Sequence, residues 1–345
     1  MNRSYAYPQS STTPADEASL PENKSIEGIV RGLQAAHATY GRSQVVPPLP
    51  QCVIFLVQEN EGNVFDQYFL SQQLFQHYST QVFRVSFDRV LDETSIPSNN
   101  PARPLIYTPP QSPATKFEVT LVYFRAGYAP AEYTSTTAWE ARLHLERSAA
   151  IKCPSVLTQL AGTKKVQQIL AAPFSHDLEN FLARTASAQY VRRLRATFVR
   201  MYPLDESLAG RKAMAIVRDE EESAGFVLKP QREGGGNNIY GRKIPAFLAS
   251  LGKDTDQYKA YILMEMITAP IQRNMIIRHG QVREGSVISE LGIYGVCLWR
   301  KGRRAGMGQM LLNQEAGFLL RTKGADSEEG GVVAGFGAID SPYLV

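Results

Sequence analysis

From Cys52 onward the chain alternates short apolar runs with longer amphipathic ones. CVIFLV (52–57), QVFRVSF (81–87) and FEVTLVYF (117–124) have the length and composition of strands, the last of them a buried one. Between the first two, VFDQYFLSQQLFQHY places Phe65, Phe69, Leu70, Leu74 and Tyr78 at helical spacing, so the three segments predict a β-α-β unit in a small α/β domain. TAWEARLHLERSAA predicts a further helix: Thr137 and Glu140 have capping-box spacing, and Trp139 and Leu143, one turn apart, are expected on its buried face. Helical patterning continues to about Met201. Past Gly225 the pattern turns to strands: GFVLKP, then a helix KIPAFLASLG, then YILMEMI, NMIIRHG and GSVISELGIYGVCLW before a glycine-rich end. These predict an antiparallel sheet able to close over a ligand.

The flanking segments read differently. Ser4–Pro21 is rich in Ser, Thr, Pro and Ala without apolar period, so residues 1–24 are expected to be a disordered leader. SIEGIVRGLQAAHATYG predicts one amphipathic helix and VVPPLP a linker, which together make a unit of 25–50. The Pro-rich stretch Ile96–Pro113 is expected to be an exposed spacer. The remainder divides into an α/β domain over 51–155 and a second domain over 156–345.

Composition narrows the class without naming a function. With 345 residues, 43% hydrophobic and 20% charged, the chain can bury a sizeable core. A formal charge of +4 is too slight to imply wholesale binding to nucleic acid or to an anionic membrane. Cys52, Cys153 and Cys297 form no CxxC and give no disulfide framework, which suits a reducing cytoplasm. CVIFLV is far shorter than the roughly 20 apolar residues of a membrane helix. The first 23 residues lack an apolar core and carry three acidic residues, which argues against secretory and mitochondrial targeting.

The sharpest chemical feature is VLKPQREGGGNN, Val227–Asn238. Consecutive glycines let backbone N–H groups turn toward phosphate oxygens, Lys229 can neutralise charge, and Glu233 offers an oxygen to magnesium. Neither a Walker loop nor GxGxxG is present, and a hairpin loop of the same composition stands as the alternative. LLRTKG places Arg321 and Lys323 on one face of an extended segment just before EEGGVVAGFGAI, a pair suited to phosphate or carboxylate or simply to a solvated strand end. Glu265 and Glu290 are carboxylates in apolar company, fit for a ribose hydroxyl, a metal, or a strand-end charge. RAGY, Arg125–Tyr128, delivers a cation and a phenol at the carboxyl end of a strand, where α/β domains bind ligands. Arg192, Arg193, Arg195 and Arg200 form a basic helix face open to phosphate binding or plain solvation. The five histidines show no metal-ligand spacing.

Taken together, YFRAGY, QLAGTKKVQQ, VLKPQREGGGNN, YILMEMI, ISELGIYGV, LLRTK, GGVVAG and the terminal SPYLV resemble the eukaryotic glutathione synthetases, colinearly from about Ser25 to Val345. The resemblance implies an ATP-grasp fold with an inserted α/β substrate-binding domain and a glycine-rich lid. It also implies a homodimer and ligation of glycine to γ-glutamylcysteine with ATP and Mg2+ through an acyl phosphate. Carried over by position, Lys164, Lys229, Gln231, Arg232, Glu233, Gly234, Gly235, Gly236, Asn237, Asn238, Tyr240, Met264, Glu265, Met266, Ile267, Glu290 and Lys323 resemble the ATP contacts, with Glu233 also the metal ligand. Glu61, Gly62, Asn63, Gln67, Arg125, Ala126, Gly127, Tyr128, Arg321, Val332 and Val333 resemble the peptide-substrate positions, and Arg125 and Arg321 the catalytic ones. Ala126 stands where an acidic residue is common, and Met266 where a lysine is.

Family members carry a longer front portion with another substrate arginine, a serine-rich substrate segment and an E-x-N pair for magnesium. The Glu61, Gly62, Asn63 string aligns elsewhere, so the sequence reads as N-terminally truncated and leaves a second reading open, a catalytically silent nucleotide- or peptide-binding homologue. A nucleic-acid binder built on RKGRR, Arg300–Arg304, lacks interleaved aromatics or a known module.

Overall fold

The computed structural model describes residues 20–59, 61–183, 185–231, 237–252, 255–278, 280–302, 308–327, 332, 337–342 and 344. Among them, the strands β1 (Gln51–Val57), β2 (Gln81–Ser86), β3 (Thr94–Ser95), β4 (Leu105–Tyr107), β5 (Phe117–Phe124) and β6 (Ile151–Cys153) build one sheet in the order β2-β1-β5-β4-β3. β1 runs parallel to β2 and β5, and β6 parallel to β5, whereas β4 is antiparallel to both of its neighbours. The helices α1 (Ser25–Tyr40), α2 (Val64–Tyr78), α3 (Val90–Glu93) and α4 (Thr136–Arg147) accompany this sheet, and β1-α2-β2 is the expected β-α-β unit.

The unbroken apolar runs follow from burial on both faces. Cys52, Ile54 and Leu56 pack with Ala141 and Leu145 of α4, whereas Val53, Phe55 and Val57 pack with Val30, Leu33 and Ala36 of α1 and with Leu70 and Leu74 of α2. Alternate side chains of one strand thus serve two helical layers.

Two local expectations are corrected here. Leu105, Ile106 and Tyr107, inside the supposed exposed spacer, are buried and form β4. In α4 the cap is Ser135, whose hydroxyl accepts from Ala138 N, and the buried face is Ala138, Ala141, Arg142 and Leu145, while Trp139 and Leu143 are 53% and 47% exposed. Arg142 can be buried because its guanidinium lies 4.2 Å from the centre of the Phe124 ring and pairs with Glu146 at 2.9 Å. The Trp139 ring stacks instead on Tyr133, centroids 4.0 Å apart.

The helix α1 packs between this sheet and a long hairpin contributed by the last third of the chain. A Cβ at Gly28 would stand 2.6 Å from Ala316 Cα, and one at Gly32 2.2 Å from Val296 Cγ1, so the two glycines, four residues apart, set the closeness of that contact. The segment after α1 is held by Glu118, a fully buried carboxylate on β5 that accepts from Tyr40 Oη at 2.6 Å, from Gln44 N at 2.9 Å and from Ser43 Oγ.

The helices α5 (Val156–Ala161), α6 (Lys164–Ala171), α7 (Asp177–Leu182) and α8 (Ala188–Arg195) lead to a second, antiparallel sheet. It is interleaved in the chain order β7 (Met201–Pro203), α9 (Leu208–Ile216), α10 (Glu220–Ser223), β8 (Phe226–Pro230), β9 (Ile239–Tyr240), α11 (Ile244–Ser250), α12 (Thr255–Tyr258) and β10 (Tyr261–Glu265), with strand order β7-β10-β8-β9. One face is covered by Ala213 and Ile216 of α9 and Ile244 and Leu248 of α11, packed on Tyr202, Phe226, Leu228 and Leu263. The expected C-terminal antiparallel sheet consists of β11 (Gln272–Arg278), β12 (Gln281–Lys301), β13 (Gly308–Gly324) and β14 (Gly337–Asp340), in that order. Register shifts between Ile293 and Gly295 and between Leu298 and Trp299 interrupt the long β12-β13 ladder, as bulges do where a ribbon must bend. Among the described residues no helix is long and apolar enough to cross a membrane.

Candidate functional site

At the carboxyl ends of β1 and β5 the ladder extends by one rung, Arg125 N donating to Leu56 O at 2.7 Å. This directs the Arg125 side chain toward α2, where Nη2 lies 2.6 Å from Asp66 Oδ2. Asp66 also accepts from Gln67 N at 2.7 Å, and Gln67, fully buried, accepts from Arg84 Nε at 3.0 Å. Arg125 Nε and Gln67 Nε2 remain buried and without an acceptor among the described residues. An unsatisfied buried donor costs about 1–3 kcal/mol, so two of them, one just past β5 and one in the first turn of α2, mark a place for ligand oxygens.

The neighbouring expected peptide positions frame this spot. Glu61 accepts from Asn63 N at 2.9 Å just ahead of α2, leaving Gly62 and Asn63 exposed. Ala126 and Gly127 are buried, and Gly127 has a φ of 80°, which only glycine adopts without strain. The Tyr128 phenol donates to Phe124 O at 3.2 Å, and burial pushes its pKa up to about 12, so at neutral pH it is a donor.

Tyr128 also lines a cavity of about 240 Å³, together with Tyr133, Trp139, Gln159, Lys164 and Gln231. One expected peptide position and two expected nucleotide positions therefore share one space. Lys164 is the first residue of α6 and half-buried. Gln231 donates its backbone N–H to Ala260 O at 3.1 Å and accepts from Lys165 N at 3.1 Å, while its Nε2 is buried without an acceptor. Among the described residues, four buried side-chain polar atoms lack a hydrogen-bond partner, and three of them belong to Gln67, Arg125 and Gln231.

In the second sheet the strand register brings together further residues expected to contact the nucleotide. Lys229 stands opposite Ile262, and Val227 opposite both Met264 and Tyr240. Lys229, Tyr240 and Met264 therefore share the face turned away from α9 and α11. Glu265 points the other way: Arg200 Nε and Nη2 donate to its two oxygens at 2.9 and 2.7 Å and hold its carboxyl below the usual range. Its neighbours Met266 and Ile267 are exposed, and Met266 N donates to Gly225 O at 2.9 Å. Asn237 is exposed, and Asn238 donates to Tyr240 Oη at 3.0 Å.

In the third sheet Glu290 stands opposite Arg321, with Nη2 and Oε1 2.6 Å apart. Lys323, two residues on, faces the same side and donates to Ser327 O at 2.7 Å. Val332 lines a separate cavity of about 690 Å³ with Asn274, Phe318 and Asp340. Arg232, Glu233, Gly234, Gly235, Gly236 and Val333 lie outside the described residues.

Residues 1–344 match the family model of the eukaryotic glutathione synthase ATP-binding domain. The chain belongs to the eukaryotic glutathione synthase family. It is 39% identical over 333 residues to the chloroplastic glutathione synthetase of Solanum lycopersicum, covering 96% of this chain and 55% of that one. It is 40% identical over 331 residues to the glutathione synthetase of Bos taurus, covering 96% and 63%. The chain thus spans between 55% and 64% of the length of the curated relatives it matches. The structure of a glutathione synthetase-like effector from Globodera pallida shares the fold, with a TM-score of 0.65 at 17% identity over 94% of this chain and 63% of that one. The mixed α/β, ATP-grasp fold class expected from the sequence stands.

The described residues also bear on metal binding. They contain no group of three or more His, Cys, Asp or Glu placed to hold an ion, and Glu265 and Glu290 are engaged by arginines. Glu233, the expected magnesium ligand, lies outside the described residues. Asp66, which orients Arg125, was missed from sequence. Asp66 adjoins Gln67 and could have been found. Arg200, expected on a basic helix face, instead lies past the end of α8 and pairs with Glu265, 65 residues away.

Proposed function

We propose that this chain carries the ATP-dependent carbon–nitrogen ligase chemistry of glutathione synthesis, joining glycine to γ-glutamylcysteine. The observation that carries the reading is the trio of buried, acceptor-less donors on Gln67, Arg125 and Gln231, with Tyr128, Lys164 and Gln231 lining one cavity. Such donors await the carboxylate and phosphate oxygens that this reaction brings together.

A cysteinyl carboxylate oxygen attacks the γ-phosphorus of ATP, the bond from that phosphorus to the bridging oxygen breaks, and ADP leaves. The glycine amine then attacks the acyl carbon of the acyl phosphate, loses a proton, and expels phosphate. Little covalent help is needed from the protein, but much charge must be neutralised and positioned. Lys164 and Lys229 meet the phosphates, Tyr240 and Met264–Ile267 the nucleoside side, and Glu290 and Lys323 the far wall. Arg125, Gln67 and Tyr128 meet the dipeptide from one side, and Arg321 with Val332 and Val333 from the other. The run Lys229–Asn238 is assigned to the phosphates, its residues 232–236 lying outside the described ones. Magnesium bound with ATP adds charge neutralisation at the phosphates, and Glu233 is the residue assigned to hold it.

In this reading residues 51–155 form the peptide-binding part and 156–345 the nucleotide-binding part. Phe65, Tyr68, Phe75 and Tyr78 are exposed along one side of α2, which supports a homodimer formed there. Three free cysteines suit the cytoplasm. Titration calorimetry tests the reading: the protein binds ATP and γ-glutamylcysteine, and Arg125→Ala loses the dipeptide while keeping ATP. A protein that binds neither contradicts it.

A further inference from the structure

The turn after Arg125 is held by a residue outside the positions named from the sequence. Three successive backbone N–H groups converge on the Glu132 carboxylate: Gly127 N lies 2.7 Å from Oε2, and Tyr128 N and Ala129 N each 3.0 Å from Oε1. Gln58 Nε2, just past β1, is a fourth donor at 3.0 Å. The carbonyl side is held as well. Gln159 Nε2 donates to Gly127 O at 3.0 Å and to Tyr128 O at 3.1 Å, and Tyr133 Oη donates to Gly127 O at 3.1 Å.

A run of N–H groups pointing into one concavity is an anion-binding nest. Here a carboxylate of the same chain fills it, so these amides are already engaged before any ligand arrives. Recognition of the dipeptide then falls on the side chains that the turn presents, the Arg125 guanidinium and the Tyr128 hydroxyl. Fixing those side chains in advance removes ordering cost from binding.

We propose that Glu132 is a positioning residue for the peptide substrate, its carboxylate filling the nest of Gly127–Ala129 and so presetting Arg125 and Tyr128. The role rests on the peptide-binding reading of this turn, and Glu132 acts through the turn rather than on the reacting atoms.

Titration calorimetry of the full chain with γ-glutamylcysteine and, separately, with ATP, combined with hydrogen exchange, tests it. Glu132→Ala loses tenfold or more in dipeptide affinity, keeps ATP affinity within twofold, and speeds exchange at Gly127–Ala129. Glu132→Gln, which retains one acceptor oxygen, recovers part of the loss. Dipeptide affinity unchanged or tightened in Glu132→Ala overturns the proposal, as does an equal loss for ATP. A wild-type protein that binds ATP but no dipeptide overturns the peptide-binding reading, and the role of Glu132 with it.

Discussion

The guanidinium of Arg321 lies 2.6 Å from the carboxylate of Glu290, across the two strands whose register sets them opposite each other. One is assigned to the peptide and the other to the nucleotide, and without ligands each is the other's partner. With side chains 38% and 67% exposed, the pair contributes at most about 1 kcal/mol, so ligands can replace it at little cost. Glu290→Gln is expected to leave stability within about 0.5 kcal/mol of wild type while lowering ATP affinity about tenfold, or about 1.4 kcal/mol. Thermal unfolding and calorimetry on the same samples check both.

Glu265 and Arg200 form the pair that ties β10 to the entry of β7. Because Arg200 holds the Glu265 carboxyl below its ordinary value, the pair's stabilisation is complete above the unfolded pKa of about 4.3 and fades as pH falls through the depressed folded value. The side chains are 53% and 32% exposed, and screening by solvent limits the effect to about 1 kcal/mol. Arg200→Ala is expected to be less stable than wild type by up to that amount at pH 7, with the gap closing below pH 4, in urea unfolding at both pH values.

Gly127 combines a φ of 80° with a site where a Cβ would stand 2.9 Å from Tyr133 Oη and 3.0 Å from the Phe87 ring. Gly127→Ala is expected to cost about 1–3 kcal/mol in chemical unfolding. Dipeptide affinity should fall with it, because the turn presenting Arg125 and Tyr128 cannot keep its conformation.

Lys229 lies on the face of β8 shared with Tyr240 and Met264. Lys229→Ala is expected to weaken ATP binding by about 1.5–3 kcal/mol, the scale of a charge-assisted hydrogen bond. Equal affinities by calorimetry would remove this lysine from the site.

Unbroken apolar runs made β1 and β5 legible, and helical spacing made α2 legible, because each segment is long enough for its pattern to stand out. Leu105–Tyr107 was not legible: three apolar residues between prolines are too few to show a period. The buried face of α4 was misassigned because its outcome is tertiary, Phe124 and Glu146 making Arg142 the buried residue in place of Trp139. The expected site positions were read as motif strings, and the carboxylates that brace Arg125 and its turn, Asp66 and Glu132, were not read with them. Glu132 did leave a local signal, since a Glu at the third position of the turn Pro130–Glu132 can reach back to preceding amides like the acidic arm of a capping box.

The ligase reading is tested most directly by following oxygen. The protein is incubated with ATP, magnesium, glycine and γ-glutamylcysteine carrying 18O in both oxygens of the cysteinyl carboxylate. For each glutathione formed, one labelled oxygen should appear in the released phosphate and one should remain in the new amide carbonyl. No ATP-dependent glutathione, or glutathione accompanied by unlabelled phosphate, would contradict an acyl phosphate formed on this chain.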